Sequence, residues 1–86
     1  MSAYRDYAEE AEKMTKEAKR AATEAEKSLS REAIRSARSK LTEAVAMHQR
    51  AANEAPSVTA TKGHKAIYEE LQDRSKALTR LVPRTK

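Results

Sequence analysis

The chain has 86 residues, with 18 Lys and Arg against 13 Asp and Glu, one Gly, two Pro and no Cys, Trp or Phe. Without cysteine there is no disulfide framework, thiolate metal site or cysteine nucleophile, and one glycine is too few for the phosphate cradles of nucleotide enzymes. No apolar run exceeds four residues, Ala44 to Met47; a membrane-spanning helix needs about 20 and a secretory signal about 7–15. The reading is therefore one soluble domain over residues 1–86, without membrane insertion and in a cytoplasmic setting.

The first element is an amphipathic helix over about residues 3–28. Its apolar positions repeat every seven residues, at Tyr4, Ala11, Ala18 and Ala25 and at Tyr7/Ala8, Met14, Ala21/Ala22 and Leu29. The seam is mostly alanine, which buries little area but lets a neighbouring helix come close. The opposite face carries i,i+4 pairs such as Glu9 with Lys13 and Glu12 with Lys16.

A second stripe runs through Ile34, Ala37, Leu41, Ala44/Val45, His48, Ala51/Ala52 and Ala55, and Pro56 stops it. The register slips between Leu29 and Ile34, and Ser28-Leu29-Ser30-Arg31-Glu32 offers a serine N-cap followed by an acidic first turn. A tight turn near residues 28–31 is expected, giving a second helix over about 31–55. The alternative is one continuous helix from about 3 to 55, in a long hairpin or coiled-coil oligomer.

Residues 56–63 mix proline, β-branched residues and the only glycine, which reads as a connecting loop with Thr61 as a possible cap. The third helix is expected over about 63–82, with Ile67/Tyr68, Leu71, Ser75, Leu78 and Leu81/Val82 as its stripe and a basic tail over 83–86. The fold class is thus all-α, an antiparallel three-helix bundle.

Chemistry-bearing residues are sparse. His48 lies on the apolar stripe, where a lone histidine reads as a packed, hydrogen-bonded residue, and His64 opens the expected third helix. No metal-ligand spacing or nucleophile motif is present, so no enzyme activity, cofactor or metal is expected. The charge pattern says more. Net charge is −1 over residues 1–30 and +3 over each of 31–50 and 51–86. Lys27, Arg31, Arg35 and Arg38 step by four, four and three, which would align them on one helical face, and Lys76, Arg80 and Arg84 step by four. Either row suits phosphates or an acidic peptide.

Of 33 apolar residues 17 are alanine, so the core is small for the length and a partner is expected. The leading expectation is a non-enzymatic protein–protein interaction module, an adaptor that docks a partner helix or acidic peptide in a groove along the third helix. Ile67, Leu71, Leu78 and Leu81 would supply apolar contact there, and Arg74, Lys76 and Arg80 charge. The alternatives are a nucleic-acid accessory protein using Lys27, Arg31, Arg35 and Arg38, and a coiled-coil assembly protein whose alanine seam pairs between chains.

Three stretches resemble the MIT (microtubule-interacting and trafficking) domain. Met14-Thr15-Lys16-Glu17-Ala18 is similar to the Val-x-Lys-Ala part of that family's first helix. Arg31-Glu32-Ala33 is similar to the Glu-Glu-Ala that opens its second, and residues 67–78 to its Leu-x-Arg-Ala-x-x-Leu stretch. The chain has Arg38, Val45 and Met47 where that family places aromatic residues in its second helix. The resemblance implies a three-helix bundle that takes a short amphipathic segment of an ESCRT-III-like tail into a groove beside the third helix.

Overall fold

In the computed structural model, which describes residues 3–85, the chain forms three α-helices and no strand among those residues. They are α1 (Ala3–Ser28), α2 (Arg31–Glu54) and α3 (Val58–Arg80), and a single 3-10 turn (Val82–Arg84) follows. The helices run up, down and up, in a rod 47 Å long and 19 by 14 Å across. Among the described residues no helix is long and apolar enough to cross a membrane. Of the basic tail, Lys86 lies outside the described residues.

The break between α1 and α2 falls where the register slips. Ser30 adopts an extended conformation and its hydroxyl accepts a hydrogen bond from the backbone of Ala33, satisfying a donor that the helix cannot. Leu29 takes a left-handed φ of 52°, and its N–H donates to the carbonyl of Ala25 at 3.0 Å. Glycine usually fills this place, and a leucine costs about 1–2 kcal/mol there. The continuous-helix alternative is thereby ruled out.

The third helix begins earlier than the sequence suggests. Ser57, next to the helix-stopping Pro56, accepts from the backbone of Ala60 at 3.1 Å, and the hydroxyl of Thr61 donates to the Ser57 carbonyl at 3.0 Å. Ser57 is the cap, therefore, and Thr61 is inside the helix. The expected loop over 56–63 shrinks to a three-residue connection, Ala55 to Ser57. The β-branched Val58, Thr59 and Thr61 are tolerated because they fall in the first turns. Gly63 is helical and exposed.

Packing is uneven around the bundle. The backbones of α1 and α2 pack closely along their length, those of α2 and α3 somewhat less so, and those of α1 and α3 scarcely approach. The α1–α2 seam explains the first of these. Every buried residue of α1 is an alanine: Ala11, Ala18, Ala22 and Ala25. Three of them match three fully buried alanines of α2, because Ala25 and Ala37, Ala18 and Ala44, and Ala11 and Ala51 each lie equally far from Arg31 in the sequence. An antiparallel turn brings such pairs to the same level, and small side chains on both helices allow close approach. This seam is filled within one chain.

The larger fully buried apolar side chains run from the α1–α2 turn to the middle of the rod. Ile34 and Leu78 lie nearer the turn and Leu41 and Leu71 midway, in one cluster with Ala18, Ala22, Ala25, Ala37, Ala44 and Val45. At the other end, near the α2–α3 connection, the buried residues of α1 and α2 are Ala11, Ala51 and His48.

Candidate functional site

The first candidate is the end of the rod at the α1–α2 turn. Lys27 lies in the last turn of α1, while Arg31, Arg35 and Arg38 lie on one face of α2. The expected four-residue row is therefore split, because the left-handed Leu29 reverses the chain between Lys27 and Arg31. The antiparallel topology then adds what sequence spacing missed. It brings Lys76, Arg80 and Arg84, from the end of α3 and beyond, alongside the start of α2. The Nε of Arg31 donates to the hydroxyl of Thr85 at 3.0 Å, tying the tail to this end.

Charge is polarised along the rod as a result. The half around the turn, residues 20–40 and 72–85, carries ten basic and four acidic residues. The half around the α2–α3 connection, residues 3–19 and 41–71, carries seven basic and nine acidic ones. Lys27, Arg31, Arg35, Arg38, Lys76 and Arg80 are all exposed, and no side-chain carboxylate among the described residues lies within salt-bridge distance of them.

A groove of about 420 Å³ opens between α2 and α3, lined by Leu41, Thr42, Val45, Leu71, Gln72, Ser75 and Lys76. Arg38 stands one turn before Thr42 on the same face of α2, and Arg80 one turn beyond Lys76. The groove thus has an apolar floor, a rim of hydroxyl and amide groups, and cations from both helices.

The groove expected along α3 is divided. Leu71 and Leu78 are 0% and 1% exposed, so they are core residues and unavailable as partner contacts while the bundle is closed. Ile67 and Leu81 are half-buried and face α1, Ile67 beside Ala8 and His64, and Leu81 beside Glu26, Arg74 and Ala77. Arg74 is committed to α1, donating to the hydroxyl of Thr23 at 3.0 Å and to Glu26 at 3.2 Å. Lys76 points to the other side, into the α2–α3 groove, and Arg80 is free at the surface. Of the seven expected contact residues, Lys76 and Arg80 alone join the basic end.

The second candidate lies at the far end, where four side chains from three helices form one hydrogen-bonded chain. The Tyr4 hydroxyl is 2.9 Å from His64 Nε2, the two histidine Nδ1 atoms are 3.0 Å apart, and His48 Nε2 is 2.7 Å from the Thr15 hydroxyl. Thr15 in turn donates to the Ala11 carbonyl at 2.7 Å. His48 is 3% exposed and every buried side-chain polar atom among the described residues has a partner. Burial, with the charges of His64 and Lys19 adding to it, holds the His48 pKa below the ordinary value of 6.5. The hydrogen-bonded reading of His48 stands. His64 lies two turns inside α3 rather than at its start.

Sequence spacing does contain a signal for this pair. His48 and His64 stand eight residues either side of Pro56, so a tight antiparallel connection at the proline places them level. Among the described residues, no group of three or more His, Cys, Asp or Glu is disposed to hold a metal ion. In comparisons with known proteins, no family model matches the chain, and neither does any curated protein or solved structure.

Proposed function

We propose that the chain is a non-enzymatic helical interaction module that docks an acidic segment of a partner protein against its basic end, across the α2–α3 groove. The observation that carries this reading is the gathering of Arg31, Arg35 and Arg38 with Lys76 and Arg80 at one end of the rod, none of them within salt-bridge distance of a side-chain carboxylate among the described residues. Unpaired cations gathered on one end raise the local potential, steer an anionic partner and gain charge-assisted hydrogen bonds on contact. Leu41 and Leu71 beneath the groove are fully buried and Val45 nearly so, which limits apolar anchoring, so charge carries more of the recognition than the sequence alone suggests. The resemblance to the MIT domain agrees with a short amphipathic occupant beside α3.

A second reading, binding to a nucleic-acid backbone, draws on the same cations, because Arg31, Arg35 and Arg38 line two turns of one helical face. The two separate in one experiment. Fluorescence anisotropy of the full chain with an acidic amphipathic helical peptide and with duplex DNA, each over a salt series, is compared for the wild type and the Arg38→Glu/Arg80→Glu variant. Acidic-peptide binding that weakens about tenfold in the variant supports docking at this end, given about 0.2–1 kcal/mol for each lost pair and further loss from repulsion. Peptide binding that the variant leaves intact rejects this placement. Tighter binding of DNA than of peptide, with a steep salt slope, favours the nucleic-acid reading.

A further inference from the structure

We propose that His48 and His64 form a proton-limited latch: the pair holds the three helices together at the α2–α3 end while it carries at most one extra proton, and a second proton drives the first half of α3 away. The argument rests on counting hydrogens along the chain of contacts. Thr15 has one hydroxyl hydrogen, and it goes to the Ala11 carbonyl. At its contact with His48 the threonine oxygen therefore accepts, so His48 Nε2 carries the hydrogen. In the neutral ring the His48 Nδ1 is then a bare lone pair.

The rest of the chain follows from that lone pair. His64 must donate from Nδ1 across the 3.0 Å contact, which leaves its Nε2 to accept from the Tyr4 hydroxyl. Each neutral ring thus has one assigned tautomer. A first added proton has a place at His64 Nε2, where it is donated to the Tyr4 oxygen once the tyrosine hydroxyl turns away. A second has only His48 Nδ1, where it would meet the His64 N–H head-on at 3.0 Å. No rotation of either ring within the contact relieves that clash. Burial, with the charges of His64 and Lys19 adding to it, lowers the His48 pKa in the same direction.

The surroundings offer the second proton no compensation. From α1, Thr15 and Tyr4 are occupied by the chain itself, and Glu12, Lys16 and Lys19 line the adjoining cavity. Glu12 is paired with Lys16 at 3.6 Å, and Lys19, held by Glu70 of α3 at 3.3 Å, opposes a charge on His48. From α3 the facing group is His64. The backbones of α1 and α3 scarcely touch, so side chains tie them at this end: Tyr4 with His64, Lys19 with Glu70, and Ile67 beside Ala8. Breaking the His48 to His64 contact removes the hydrogen bond that joins His48 of α2 to α3, and with it the link from α3 through His48 to Thr15 of α1. The latch lies at the opposite end from the basic docking face and stands independently of it.

The sign is set by linkage. The closed form binds fewer protons than the open one, so closure is complete above the ordinary histidine value and weakens as the pH falls toward the lowered value of His48. Opening should become about fivefold more frequent from pH 6.5 to 5.5, as expected for uptake of one proton by a group that has its ordinary value in the open form. Amide exchange of residues 62–70 in the full chain, corrected for intrinsic rates, reads this directly. His48→Gln supplies the comparison, because its amide can donate to Thr15 and accept from His64 without titrating, and its exchange should be flat over the same range. Ring nitrogen NMR of the wild type at pH 8 tests the tautomers without any variant: His48 should carry hydrogen on Nε2 and His64 on Nδ1. Equal pH dependence in wild type and His48→Gln overturns the latch. So does the opposite tautomer assignment, or full protonation of both rings while residues 62–70 stay protected.

Discussion

The two ends of this rod are held by different physics. From the α1–α2 turn to the middle of the rod, Ile34, Leu41, Leu71 and Leu78 bury branched side chains in one apolar cluster, whose strength follows the area removed from water and is indifferent to pH. Around the α2–α3 connection the same three helices meet through Tyr4, His64, His48 and Thr15, whose strength depends on each hydrogen having an acceptor. The alanine seam between α1 and α2 runs through both ends and keeps the pair together. What varies along the rod is how α3 is attached. An apolar anchor at one end and a polar one at the other gives a bundle in which one end can open while the other stays closed. The basic end is the one nearer the apolar anchor, so a partner docked there as proposed would meet a rigid surface.

The largest test of this contrast is Leu71→Asp. It places an unpaired carboxylate at a fully buried position between α2 and α3, and the cooperative melt by circular dichroism should be lost. Leu41→Ala in the same cluster should cost about 2–5 kcal/mol in urea denaturation, through lost transfer energy and the cavity left behind. At the polar end Thr15→Val keeps the shape but removes the acceptor of His48, and should cost about 1–3 kcal/mol while switching the His48 tautomer in NMR. A Thr15→Val protein as stable as the wild type would remove the polar anchor from the account.

Two smaller effects sharpen the picture. Arg74→Ala removes contacts to Thr23 and Glu26 that are partly screened by solvent, and should cost under about 1 kcal/mol. Gly63→Ala should stabilise the protein by about 1 kcal/mol, because a methyl group there meets nothing within 4 Å and alanine is the better helix former. That gain exists only if α3 starts at Val58, ahead of Gly63. Destabilisation by the alanine would return residues 58–63 to a loop.

Much of the architecture is legible in the sequence because it depends on periodicity. The seven-residue repeat of Ala11, Ala18 and Ala25 and the stripe from Ile34 to Ala51 give two helices with their buried faces, and Ser30 marks the break. The start of α3 is masked because proline, β-branched residues and glycine crowd together, each a loop signal alone; one serine placed to cap the first turn outweighs them. The basic end is half legible. Spacing finds each row of cations but treats Lys27 as part of the α2 row and keeps the α3 row apart, since only the reversal at Leu29 and the return of α3 decide which cations share a surface. Leu71 and Leu78 look like contact residues from periodicity, which marks an apolar face without saying which neighbour covers it. The histidine pair needs two further facts, the antiparallel turn at Pro56 and the level of Thr15, and becomes visible once positions are counted outward from the proline.

The most direct test of the docking claim is a residue-resolved NMR titration of the full chain at low salt with an acidic amphipathic peptide. The account predicts shift changes concentrated at Arg31, Arg35, Arg38, Thr42, Gln72, Lys76 and Arg80, fading as salt is raised, with residues 3–12 and 58–66 unmoved. Changes centred instead on Ala8, Lys16 and Ile67 along the α1–α3 flank, or no saturable change, would contradict it.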